Sequence, residues 1–157
     1  MFYDPQKTAY FKESLVRVVG KVLDAAGYQL EDNPLQQARG LIRYYKPLQH
    51  LGEDVYGFLE WQLLAFEESP IARFQLTLLR NRGLEARTVT DYSHRAEQAL
   101  PWIIWHVFNA RVVPADDSWW DFRNGNELLQ ALANAVHLLF GYGIPWLEMH
   151  QDSVPTH

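Results

Sequence analysis

The chain has 157 residues, 14 basic against 19 acidic side chains for a net charge of −5, and six Trp within a 48% hydrophobic composition. That length buries roughly 70% of the extended surface on folding, so one core is expected, as a single domain over 1–157 with a short flexible tail at 152–157. The absence of cysteine excludes disulfides, thiolate metal sites and cysteine nucleophiles, and the acidic balance argues against nucleic acid, whose phosphates need a local excess of positive charge.

Asp4, Lys7, Lys12, Glu13 and Arg17 interrupt the first twenty residues, which leaves no signal-peptide core. No apolar run reads as membrane-spanning, and a cytoplasmic protein with no membrane association is expected. From Lys7 to Ala26, Phe11, Leu15, Val18, Val19, Val22 and Leu23 recur at helical spacing, with Gly27 as the left-handed stop. Asp32, Asn33 and Pro34 then signal a turn, and a strand is expected from Leu41 to Lys46, ended by Pro47.

Val55 to Phe66 carries the strongest strand pattern. Val55, Leu59, Trp61 and Leu63 share one face, and Tyr56, Phe58, Glu60, Gln62 and Leu64 the other. After the turn at Ser69 and Pro70, Ala72, Phe74, Leu76 and Leu78 alternate with Arg73, Gln75, Thr77 and Leu79, the signature of its hairpin partner. A short strand is expected from Ala86 to Tyr92 and a buried one from Pro101 to Phe108, where aromatic and β-branched residues leave no polar face. A second helix follows from Glu127 to Phe140, capped by Asn124 or Asn126 and stopped at Gly141. The predicted fold is α+β: an antiparallel sheet of about four to five strands with two long helices packed on one face.

The N-terminal helix ending in Gly27 and Tyr28, the strand from Phe74 to Leu79, Trp119-Trp120-Asp121-Phe122 before the last helix and Gly143-Ile144-Pro145-Trp146-Leu147 after it together carry a likeness spanning most of the chain. In these the chain resembles the bacterial family catalogued as domain of unknown function 4304. The resemblance implies no established activity and therefore no catalytic residues.

The residues themselves point the same way. His50, His94, His106, His137 and His150 show no spacing that places two imidazoles on one metal, and His106 within its apolar run reads as a core histidine with one hydrogen bond. The acid pairs Glu53-Asp54, Glu67-Glu68 and Asp116-Asp117 flank turns and read as solvated, and the serines lack a nucleophile elbow. No metal or cofactor is expected. Arg39, Arg43 and Lys46, with Arg73, Arg80, Arg82, Arg87 and Arg95, form at most a modest anion patch. Trp119 and Trp120 are read as anchors of the last helix, one mostly buried and one partly exposed.

The second face of the sheet is the candidate site. It would display Glu60, Gln62, Arg73, Gln75 and Thr77, edged by Arg43, Tyr45 and His106. The leading expectation is a binding or interaction module that takes a small molecule or a protein on this open polar face. Two alternatives stand beside it: a small enzyme whose acid, arginine and base are Glu60, Arg73 and His106, and a homodimer paired through Tyr56, Phe58, Leu64 and Leu79.

Overall fold

In a computed structural model, which describes residues 2–83 and 95–149, Asp4 accepts hydrogen bonds from the amides of Gln6 and Lys7, and Pro5 fills the first helical position. Both features favour a helix start, and the chain enters α1 (Pro5–Val18) there. After a hitch at Val19 the helix resumes as α2 (Gly20–Ala25), and Gly27, at a φ of 93°, supplies the expected stop. Gly20 lets this helix pass close over Tyr44, whose hydroxyl oxygen would stand 3.2 Å from a Cβ there.

The sheet is antiparallel and follows chain order: β1 (Gln29–Leu30), β2 (Leu41–Pro47), β3 (Val55–Leu64), β4 (Ala72–Arg82) and β5 (Ala96–Ala99). A sixth strand, β6 (Trp120–Phe122), pairs the first residues of β4, end to end with β5 along the same edge. The predicted hairpin runs in register from Val55 opposite Arg82 to Leu64 opposite Arg73. Alternation sends Leu59, Trp61, Leu63, Phe74, Leu76 and Leu78 to one face, where all are buried. They join Phe11, Leu15, Val19 and Leu23 from the N-terminal helix and Leu128, Leu132, Ala135 and Leu139 from the C-terminal helix in one core. Two helical layers on one face of the sheet is the α+β architecture expected from the sequence.

The last helix departs from expectation at its end. α5 (Gly125–Leu138) is capped by Asn124, whose side chain accepts from the amide of Glu127, but it does not stop at Gly141. It passes through a π-helical turn, Leu139–Gly143, into α6 (Ile144–Glu148). Gly143 serves packing there and not a left-handed cap: a Cβ at 143 would meet Leu78, Leu100 and Leu139 at 3.0 Å. The resulting helical run, 125–148, is long and apolar enough by length and composition to cross a membrane, which corrects the expectation that no run of that kind exists.

The strand expected over Pro101–Phe108 is also corrected. α4 (Leu100–Trp102) and a π-helical turn, Ile103–Val107, occupy that stretch. An apolar run without a polar face carries no period that separates a buried strand from a buried helical turn, and Pro101 suits the first turn of a helix. The strand expected over 86–92 and the tail at 152–157 lie outside the described residues. Several short elements had not been expected: β1, β5, β6 and α3 (Pro34–Ala38), whose start is capped by Asn33.

Candidate functional site

The second face of the sheet divides in two. At the end formed by β1, β2 and the first half of β3, Arg43 and Glu60 are buried, at 8% and 4% exposure, beside Phe58 and Leu79, both fully buried. Arg43 binds Glu31 through Nε at 2.6 Å and through a terminal nitrogen, reaches Glu60 at 3.4 Å, and lays its guanidinium 4.6 Å from the ring centre of Phe58. Tyr45 is half-buried at the margin and donates to Gln29 Oε1 at 3.1 Å. Arg43 and Glu60 are thus internal partners, not the displayed groups expected, and the burial of Phe58 and Leu79 removes them from any homodimer contact. An arginine suits this position because its planar fork bonds two carboxylates while its face covers an aromatic ring.

The other end is open. Gln62 and Gln75 stand opposite one another across β3 and β4, Leu64 stands opposite Arg73, and Thr77 lies next along β4. Gln62, Gln75 and Thr77 are half-buried and Arg73 is exposed. Arg73 Nε lies 3.5 Å from Asp121, which β6 places opposite it, and Gln75 reaches the carbonyl of Ser118 at 3.5 Å. The half-buried Trp119 stands immediately before β6, two residues ahead of Asp121. Trp120 turns the other way, stacks on Phe74 with ring centres 5.4 Å apart and donates to Asn134 at 2.9 Å. Both tryptophans are half-buried, and of the two it is Trp120 that packs against the core cluster.

His106 belongs to neither end. It sits on the π-helical turn after α4, exposed, with Nε2 2.8 Å from Asp116 and its ring 4.9 Å from that of Trp102. The core-histidine expectation is wrong in burial, for the same reason that the strand there is wrong. Glu60, Arg73 and His106 thus take different partners: Glu60 pairs with Arg43, Arg73 with Asp121, and His106 hydrogen-bonds Asp116. Of the basic residues grouped in the sequence, Arg43 is internal, Lys46 pairs with Glu148 at 3.2 Å, Arg80 donates to the carbonyl of Leu147 at 2.9 Å, Arg95 pairs with Glu97 at 3.0 Å, Arg39 and Arg82 are exposed, and Arg87 lies outside the described residues.

A second polar cluster went unread in the sequence because its members lie far apart along the chain. Glu148, at the end of α6, accepts from the Tyr28 hydroxyl at 2.7 Å and from Lys46, while its carbonyl lies 2.7 Å from Nε2 of His50. Burial, then the bond to Glu148 and its charge, hold the Tyr28 hydroxyl protonated well above the ordinary tyrosine range. The arrangement fastens the end of the last helix to the sheet. No protein-family model matches the chain, and no curated protein or solved structure is significantly similar to it.

Proposed function

We propose that the chain is a non-catalytic binding module whose contact surface is the open end of the second sheet face, around Gln62, Arg73, Gln75, Thr77 and Trp119. The observation that carries this reading is the juxtaposition, on two registered strands, of two carboxamides, a hydroxyl and a guanidinium, with the half-buried Trp119 just before the strand that pairs Arg73. Strands hold such groups in fixed relative positions, which lowers the ordering cost of binding. The Arg73–Asp121 pair is solvent-exposed on both sides, and exposed pairs contribute little, so the guanidinium can exchange its partner for an anionic or planar group of a ligand. The dispersal of Glu60, Arg73 and His106 to three different partners supports binding over acid–base catalysis. The resemblance to domain of unknown function 4304 belongs to the same proposal and brings no activity with it.

A thermal-shift screen of metabolite anions and planar heterocycles tests the reading, since a ligand at a hundred times its dissociation constant raises stability by roughly 2.7 kcal/mol. For any compound that shifts the midpoint, Arg73→Ala is expected to weaken binding by about 1.5–3 kcal/mol and to leave the unliganded midpoint nearly unchanged. Unchanged affinity in that variant removes this face from consideration. A turnover lost in His106→Ala would put the enzyme in its place.

A further inference from the structure

The first turns of α1, the start of β4 and the junction of β6 with α5 enclose a groove of about 210 Å³. Ala72 and Phe122 stand opposite one another in the sheet on the side facing away from Arg73, and with Pro70 they form an apolar floor. The rim carries Lys7, Tyr10 and Arg123. Lys7 is anchored by the carbonyls of Ser69 at 2.8 Å and Phe66 at 3.4 Å, which fixes its positive charge at the edge of the groove. The Tyr10 hydroxyl and the Arg123 guanidinium have no hydrogen-bond or ion-pair partner among the described residues.

No lining residue is acidic. Of the carboxylates nearby along the chain, Asp4 accepts from the amides of Gln6 and Lys7 and stands 3.8 Å from Lys7 Nζ, which partly offsets that cation, and Glu127 accepts from the amide of Arg123 at 2.8 Å, so the Arg123 guanidinium is the charge left for a ligand. An unpaired guanidinium and a hydroxyl donor over an apolar floor, with the Asp4-paired Lys7 at the edge, match an anionic head on an apolar body. Size narrows the body, because a cavity of about 150 Å³ takes one benzene ring. A groove of 210 Å³ has room for a ring with a carboxylate attached. Gly125 is part of the construction: a Cβ there would fall 2.5 Å from the Tyr10 hydroxyl oxygen, so glycine lets that hydroxyl lean over the first turn of α5.

We propose that this groove binds a small aromatic carboxylate, its ring on Pro70, Ala72 and Phe122 and its carboxylate on Arg123 and the Tyr10 hydroxyl. The site is separate from the open sheet face and stands or falls independently of it.

Benzoate, benzyl alcohol and inorganic phosphate are the probes, titrated into the intact chain and followed by amide chemical shifts and calorimetry. Benzoate is expected to bind with shifts concentrated at Tyr10, Phe122 and Gly125. Arg123→Ala should weaken it by about tenfold or more, the loss that follows removal of a charge-assisted hydrogen bond. Gly125→Ala, which displaces the Tyr10 hydroxyl, should weaken it as well, while Arg73→Ala leaves it unchanged. Absence of benzoate binding at millimolar concentration overturns the proposal. So does equal binding of phosphate, which would mark a bare helix terminus, or equal binding of benzyl alcohol, which would mark an apolar dent with no use for the cations.

Discussion

Arg43 holds Glu31 and Glu60 at once in a setting where water supplies little compensation, since the arginine and Glu60 are nearly excluded from solvent. Removing one member of such a set leaves charge behind without its partner, which costs more than the set contributes when intact. Arg43→Met, which keeps the aliphatic stem and removes the charge, is expected to lower unfolding free energy by about 3–5 kcal/mol, measured by urea denaturation. A loss under about 1 kcal/mol would mean that Glu60 is compensated without Arg43. Ser14 presents the opposite case. Its hydroxyl is buried in α1 with no hydrogen-bond partner among the described residues, so it is desolvated for no return, and serine is also a poorer helix former than alanine. Ser14→Ala should therefore stabilise the protein by about 1 kcal/mol and raise the thermal midpoint; a fall would show that the hydroxyl is satisfied in solution.

At the level of elements, the two π-helical turns decide how the chain is read. Gly141 and Gly143 both lie in the second, yet their surroundings differ: a Cβ at 141 meets nothing within 4 Å, while one at 143 meets three leucine side chains at 3.0 Å. Gly141→Ala should thus gain about 0.5–1 kcal/mol by restricting the unfolded chain, and Gly143→Ala should lose about 1–3 kcal/mol by overpacking, a sign difference that paired thermal melts will read. A stop signal at Gly141 would have reversed the first sign, because a left-handed glycine does not tolerate alanine. This is where legibility ended. The β3–β4 hairpin could be read because Leu59, Trp61, Leu63, Phe74, Leu76 and Leu78 alternate strictly with less apolar residues, and a fully covered face imposes that period. Pro101–Phe108 has no such contrast, and Ala-Glu-Gln-Ala of β5 has no strand propensity at all. That segment is a strand because the edge of β4 offers it unpaired backbone groups. Alternation likewise assigned Arg43, Glu60, Arg73 and Gln75 to the correct face, but period says nothing about which part of a face is covered. The ion pairs of Arg43 depend on Glu31, just after β1, and on Glu60 from the neighbouring strand β3.

For the molecule as a whole, two buried tyrosines make folding sensitive to alkaline pH. Tyr28 ties the entry of β1 to Glu148 at the end of α6, and Lys46 and Arg80 bind that same helix end from β2 and β4, so this cluster joins the N-terminal third of the chain to its last helix. Tyr44 lies under Gly20 between the helix and the sheet, and burial pushes its hydroxyl up to about 12 from an ordinary value of 10.0. Both groups are neutral when protonated, and both folded-state values are raised, so the folded state retains protons that the unfolded chain releases. The contribution of these two hydroxyls is therefore complete below about pH 10 and is lost as pH rises from the unfolded value towards the folded one. The rise of the Tyr44 hydroxyl from 10.0 to about 12 corresponds to roughly 2–3 kcal/mol lost between about pH 10 and 12. Urea midpoints measured across that window should fall steadily, and Tyr44→Phe, which has no hydroxyl to ionise, should fall less steeply than the parent while matching or approaching it at pH 8. Tyr28→Phe should behave differently: it also flattens the alkaline limb but lowers stability at neutral pH, because the bond to Glu148 is lost. Parallel curves for the parent and Tyr44→Phe would place the Tyr44 hydroxyl in contact with water and remove it from the alkaline response.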